Sequence, residues 1–346
     1  MYYFRSDYSL GAHEKLMNAL METNMEHTDG YAEDKFSFEC ADMIRRMIGK
    51  PDAHIHFMVG GTPSNTVTIS AALKPYEGVI SPATGHIYVH ETGSIEANGH
   101  RVFAAPTEDG KLTPEAIEKM MVLFEDEHTV IPRVAYITHP TENGGVYTKE
   151  ELVALRKCCD KNGLYLYMDG ARLGTALMWP GNNLSIKEIA DLVDAFYIGG
   201  TKIGALLGEA LVILNDEINH NFRYMIKRSG GLLAKGRLIA VQLKALLEDE
   251  TGGDDITKSL YAKLAMHENE MAIKIAEGVQ KKGYELWQKH QTNQVFVIVD
   301  NDKIKELEEN FFFYVWCPYD EKRSVIRLIT NWNTKEEEVN AVLEAM

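Results

Sequence analysis

The chain has 346 residues, 45% hydrophobic and 25% charged, which excludes disordered and fibrous classes and gives enough length for a large core plus a smaller second one. Its 36 basic and 51 acidic side chains leave a formal charge of −15, so no electrostatic footprint for nucleic acid or an anionic membrane is expected, and a small-molecule partner is. No basic leader opens the sequence and no uninterrupted run of 18 apolar residues occurs, so a cytoplasmic location is expected. The four cysteines (Cys40, Cys158, Cys159, Cys317) have neither disulfide-framework nor zinc spacing, and the His54/His56 and His86/His90 pairs lack a third ligand; no metal is expected.

In chain order, short β-rich runs alternate with helical patterns: His54 to Val59, Arg133 to Thr138, Leu164 to Asp169, Asp194 to Gly199 and Glu209 to Leu214. Between them, Thr148 can cap a helix whose Leu152, Leu155 and Cys159 share one face and which Gly163 stops. This alternation predicts an α/β fold with a mostly parallel central sheet covered by helices. Near Glu248 to Asp255 the composition turns polar and glycine-bearing, and then reads helix, strand, helix, strand, helix. The division expected is a large domain over residues 1–247, N-terminal segment included, and a small C-terminal α+β domain over 248–346.

Three places in this pattern carry chemistry. At "MVGGTPSN" a strand runs through Gly60 and Gly61 into Thr62, Pro63, Ser64 and Asn65 and then a helix. That geometry can aim backbone N–H groups at a phosphate, and equally describes an ordinary strand-to-helix turn. Asp169 ends an apolar strand, where an acid can cap a turn or face a ligand at the carboxyl edge of the sheet. The next strand delivers Lys202 to the same edge inside "YIGGTKIGALLG", a setting that suits a lysine used as an amine rather than as a surface charge. A phosphate cradle, an amine and a carboxylate are the three requirements of pyridoxal 5'-phosphate, and a desolvated lysine has the lowered pKa such an amine needs.

Taken in order, "RSDYS", Gly30–Tyr31, "GGTPSN", "GHIYVHETGSIE", "DGARLGTAL", "DAFYIGGTK" and "VIRLIT" make the chain resemble the threonine aldolase and aromatic amino acid β-eliminating lyase family, with the aspartate aminotransferase (type I) fold. The resemblance implies that Lys202 bonds the cofactor aldehyde, Asp169 pairs with the pyridine nitrogen, Gly60, Gly61, Thr62 and Asn65 hold the phosphate, and His86 stacks on the ring. It also implies Ser6, Tyr31, Arg172 and Arg327 as substrate-binding residues, the arginines suiting a carboxylate through their planar fork. His128 is implied near the substrate side chain, and the base for the β-hydroxyl is either His128 or a water held by His86. The segment Lys227 to Leu238 resembles one that reaches the cofactor phosphate of a neighbouring subunit, so a homodimer or homotetramer with shared sites is implied. Its arginine column falls on Ala234 here, leaving Lys235 or Arg237 as substitutes.

The chain departs from the family pattern at Tyr8 of "RSDYS", at Gly200-Thr201 before the lysine, and in the loop "HPTENGG" (His139 to Gly145), which bears on side-chain specificity. The activity implied is cleavage of threonine or allo-threonine to glycine and an aldehyde. The alternatives are β-elimination on another amino acid, which the same residues would serve, or a non-catalytic protein that binds the cofactor.

Overall fold

The computed structural model describes residues 1–124 and 126–346. Seven strands form one sheet in the order His54–Met58, Glu209–Ile213, Ala195–Gly199, Tyr165–Asp169, Ile131–Thr138, Glu77–Pro82, Arg101–Ala105. Only Glu209–Ile213 runs antiparallel to its neighbours. All five strands read from the sequence are present. Glu77–Pro82 and Arg101–Ala105 are additional; the first is buried on both faces, so it shows no alternation, and it carries the Gly and Pro that read as turn signals.

Strand residues alternate between two cores, as the period of 2 requires. Ala135, Ile137, Leu166, Met168, Phe196 and Ile198 join the core beneath the helices Lys35–Ile48, Lys149–Asn162 and Arg237–Leu247. Val134, Tyr136, Tyr167, Ala195 and Tyr197 face the other way, onto the helix Gly61–Ala72. The helix Lys149–Asn162 starts where its sequence predicts: Thr148 accepts from the Glu151 backbone N–H, Glu151 reaches back to the Thr148 N–H, and Gly163 ends it with φ 65°.

A separate four-stranded antiparallel sheet, ordered Tyr314–Pro318, Arg323–Ile329, Gln294–Asp300, Glu285–Leu286, packs with the helices Leu260–Lys281, Asn301–Glu308 and Glu336–Ala345. The first residues of the chain belong with this C-terminal unit: Tyr2–Tyr3 pair with Phe311–Phe312, and Phe4 lies in its core. The Phe4 carbonyl accepts from Ile329 N–H, which sends the chain past the end of the arginine-bearing strand toward the central sheet.

Among the described residues no helix is long and apolar enough to cross a membrane, and no group of three or more His, Cys, Asp or Glu side chains could hold a metal ion.

Candidate active site

The carboxyl ends of the parallel strands converge on one region, the edge of such sheets where ligands gather. His86 follows Glu77–Pro82, Glu142 follows Ile131–Thr138, Asp169 ends its own strand with Arg172 just beyond, and Lys202 follows Ala195–Gly199. The small sheet closes the region from the far side through Arg327, Tyr314 and Trp316. His86, Glu142, Arg172 and Lys202 line, with these three, a cavity of about 650 Å³, and Asp169 lies buried at the same sheet edge.

Asp169 is 4% exposed and accepts four hydrogen bonds, two at each oxygen. Oδ1 receives Tyr197 Oη–H at 2.5 Å and Ala171 N–H at 3.0 Å; Oδ2 receives Tyr136 Oη–H at 2.8 Å and Asn65 Nδ2–H at 2.9 Å. Burial alone would raise the carboxyl pKa. The His86 charge and the donors from Tyr197, Asn65 and Ala171 outweigh it and hold Asp169 below the ordinary aspartate value. Tyr197 also explains a glycine, because a Cβ on Gly61 would stand 2.8 Å from its hydroxyl oxygen.

The network continues from Asn65. Its second donor goes to Glu91 Oε1 at 2.7 Å, its carbonyl accepts from Tyr167, and Glu91 meets His86 Nδ1 at 2.8 Å and Ser94 Oγ at 2.7 Å. Burial of His86 favours the neutral ring, but Glu91 and then Asp169 prevail, and its pKa is raised. Asn65 therefore differs from its expected place in the phosphate group, since both of its amide hydrogens are committed to carboxylates. The cradle is left to Gly60, Gly61 and Thr62. The helix Gly61–Ala72 begins there with no side-chain cap, and the space around Gly60 is open, as an anion at a helix N-terminus requires.

Lys202 makes no ion pair among the described residues, and its Nζ lies 6.0 Å from the centre of the Tyr8 ring. Burial and then the Arg172 charge lower its pKa, against Asp7, Asp169 and Glu209. The turn that presents it is held by Glu209, whose carboxylate accepts from Gly200 N–H at 2.7 Å and Thr201 Oγ–H at 2.8 Å.

The two arginines are not equivalent. Arg172 is clamped by Asp7, with Nε to Oδ2 at 2.5 Å and Nη2 to Oδ1 at 3.1 Å. Arg327 has no carboxylate partner among the described residues. It lies against the rings of Trp316 (4.6 Å) and Tyr314 (5.1 Å), its Nε is buried without an acceptor, and its one side-chain hydrogen bond among the described residues is a 3.4 Å bond to Gln294. Burial and Arg172 lower its pKa to about 10, which leaves it charged at neutral pH.

Five expected residues lie elsewhere. His128 is 84% exposed in the loop before Ile131, at the amino end of the strand whose carboxyl end meets the cavity, about 23 Å away at 3.3 Å per residue. In this chain it does not reach the Lys202 region, and the expected base role is corrected accordingly. Ser6 does not line the cavity; Tyr8 does, and the intervening Asp7 holds Arg172. Tyr31 is 42% exposed with φ 61°, donates its N–H to Ala234 and lies beneath Lys227 Nζ at 4.4 Å, away from Lys202. Arg237 donates to the carbonyls of Glu26 and Asn24, whereas Lys235 is exposed with no side-chain partner among the described residues. The residues that sequence reasoning missed are Glu142, Glu91, Tyr136 and Tyr197. The tyrosines carried only the signal of ordinary strand aromatics.

A family model described as Beta-eliminating lyase matches residues 3–302. The chain is 31% identical to the low specificity L-threonine aldolase of Pseudomonas aeruginosa over 97% of this chain and 94% of that one. It is 26% identical to that of Escherichia coli over 98% and 96%. A solved structure of Leishmania major threonine aldolase superposes with a TM-score of 0.95 at 41% identity, covering 99% and 98% of the two chains. Thermus thermophilus aspartate aminotransferase, at 17% identity, TM-score 0.72 and coverage of 99% and 90%, shares the fold.

Proposed function

We propose that this chain, which belongs to the beta-eliminating lyase family, is a pyridoxal 5'-phosphate lyase that cleaves β-hydroxy-α-amino acids such as threonine to glycine and an aldehyde. The observation that carries the reading is the meeting, in one cavity, of a half-buried lysine without an ion pair among the described residues and an arginine with an orphaned Nε, at the sheet edge where the His86 charge and hydrogen-bond donors hold a buried carboxylate ionised. The relatives named threonine aldolase support the retro-aldol direction.

The residues fit the cofactor. Lys202 would hold its aldehyde carbon, Asp169 its pyridine nitrogen, the uncapped turn at Gly60, Gly61 and Thr62 its phosphate, and His86 would face its ring. When bound, the group supplies an acceptor for the electron pair released at Cα. The protein's own part is positional and electrostatic. Arg327 and the free Nη1 of Arg172 bind the substrate carboxylate, Asp7 fixes the plane of Arg172, and the Tyr136–Tyr197–Asn65 shell keeps Asp169 anionic against burial.

The site is proposed to be shared between subunits. Gly30 and Tyr31 pack on Ala234, and a Cβ on Gly236 would strike Ala32 N at 2.6 Å, so the two segments expected to act on a neighbour's site form one patch. Tyr31 and Lys235 are exposed on it. Because Arg237 is tied to carbonyls of its own chain, Lys235 is the better candidate for a neighbour's phosphate.

Incubating cofactor-loaded protein with a panel of amino acids tests the reading. Threonine or allo-threonine should yield glycine and acetaldehyde in equal amounts. Ammonia and a keto acid from serine, cysteine or an aromatic amino acid, with no aldehyde from the β-hydroxy substrates, would replace retro-aldol cleavage by elimination.

A further inference from the structure

We propose that Glu142 is the catalytic residue that takes the proton of the substrate β-hydroxyl, an assignment that rests on the retro-aldol reading above. Glu142 is the one carboxylate lining the cavity that also contains Lys202, Arg172 and Arg327. It sits in the loop "HPTENGG", just beyond the strand that pairs with the strand of Asp169.

The loop is built to hold it still. Thr141 N–H donates to the Gly145 carbonyl, Gly145 N–H donates to Thr141 Oγ1 at 2.9 Å, and Gly144 takes φ 81°, closing a compact turn around Glu142. Thr138 Oγ1–H donates to Glu142 Oε2 at 2.7 Å, and Oε1 accepts from no side chain among the described residues. One oxygen is thus anchored and the other free to accept.

The other groups are less suited. His86 has Nδ1 engaged by Glu91 and a raised pKa, so it holds its proton. Lys202 is committed to the cofactor. His128 is on the surface at the far end of the strand. His90 lines the cavity with a lowered pKa, but it is exposed at the rim and carries no anchoring hydrogen bond among the described residues. Glu142 is a stronger base than an exposed glutamate, because burial and then the Asp169 charge raise its pKa, only partly opposed by His86 and Thr138.

The step balances. The β-O–H proton passes to Glu142, the O–H electron pair becomes the second bond of the aldehyde C=O, and the Cα–Cβ bond breaks with its electron pair left on the glycine half. One proton returns to Cα, so the amino acid becomes glycine plus aldehyde without water or a redox partner.

Two reactions of the cofactor-loaded enzyme separate this role from general support of the site. Aldehyde release from threonine needs the hydroxyl base; exchange of the glycine α-proton for deuterium, followed by NMR, needs Lys202, the cofactor and the carboxylate clamp but no β-hydroxyl. Glu142→Gln should lower aldehyde release by about 10²–10⁴-fold, mainly in kcat, while glycine exchange persists. Glu142→Asp should recover part of the loss. Normal aldehyde release by Glu142→Gln overturns the assignment, as does an equal loss of both reactions, which would make Glu142 a structural support. A loss in His90→Asn matched by normal turnover in Glu142→Gln would transfer the role to His90. A wild-type enzyme that exchanges glycine yet releases no aldehyde from any β-hydroxy amino acid refutes the underlying retro-aldol reading instead.

Discussion

Tyr197→Phe isolates one of the four donors that keep Asp169 ionised. The phenol is 1% exposed and its ring packs in the core around the helix Gly61–Ala72, so the change removes an oxygen and leaves the ring in place. A hydrogen bond to a charged group contributes about 1.5–3 kcal/mol, and its loss should raise the proton affinity of Asp169 by roughly ten- to a hundredfold. The sign follows from linkage. The folded pKa lies below the ordinary aspartate value of 3.8, so the stabilisation is present at neutral pH and disappears as acid protonates the folded carboxyl. Urea unfolding should therefore show a deficit of about 1.5–3 kcal/mol at neutral pH that narrows in acid toward the ~1 kcal/mol of a neutral hydrogen bond. Turnover at neutral pH should fall far less than in Asp169→Ala, since three donors still keep the carboxylate ionised. A stability deficit that stays constant across the Asp169 titration would show that the hydroxyl serves packing alone, and would refute the charge-stabilising shell.

His128→Ala should leave kcat and KM unchanged, because the imidazole is 84% exposed at the opposite edge of the sheet; a large loss in kcat would restore it as the base. Burial pushes the Glu209 carboxyl up to about 7 from 4.5, so the folded state holds a proton the unfolded state has lost, and stability should fall by about 3 kcal/mol as pH rises through that interval. Glu209→Gln should flatten that dependence in denaturant titrations, and an unchanged slope would refute the assignment. Asp7→Asn leaves the Arg172 charge buried without its carboxylate and should cost up to about 3–5 kcal/mol of stability. Unfolding measured with and without glycine should show part of that loss recovered by the ligand carboxylate, and equal losses in both would place Arg172 outside the carboxylate site.

The sequence made the strand-end positions legible because they obey a local rule. A short apolar run ending in Asp169, and another ending just before Lys202, can be read without knowing what packs on them. Glu142 obeys no such rule. Its loop carries a proline and two glycines and resembles any polar turn, and only the pairing of Ile131–Thr138 with Tyr165–Asp169 brings it to the cavity. His128 fails for the converse reason. It lies within a few residues of the same strand, but at its other end, where closeness in sequence becomes a separation of a whole strand length. Tyr136 and Tyr197 looked like core aromatics, and their rings are; what the periodicity did not show is that their hydroxyls meet on one carboxylate from the two strands that flank its own.

In the proposed site, the unequal arginines would divide the recognition of an α-carboxylate between charge and geometry. Asp7 has already compensated much of the Arg172 charge and fixed its plane, so the net attraction of Arg172 for an anion is reduced while Nη1 makes no hydrogen bond among the described residues. Arg327 is the reverse: desolvated against two rings, with an orphaned Nε, it gains most when an anion arrives. The chain's net charge of −15 does not oppose this, because fields from distant exposed carboxylates are screened beyond about 8 Å at physiological ionic strength, whereas the cations at the buried site are not. An amine with a β-hydroxyl but no carboxylate would leave Arg327 unpaired and Arg172 unused. On the proposed reading, the same pair that orients the amino acid would thereby make the carboxylate a condition of reaching Lys202 and Glu142.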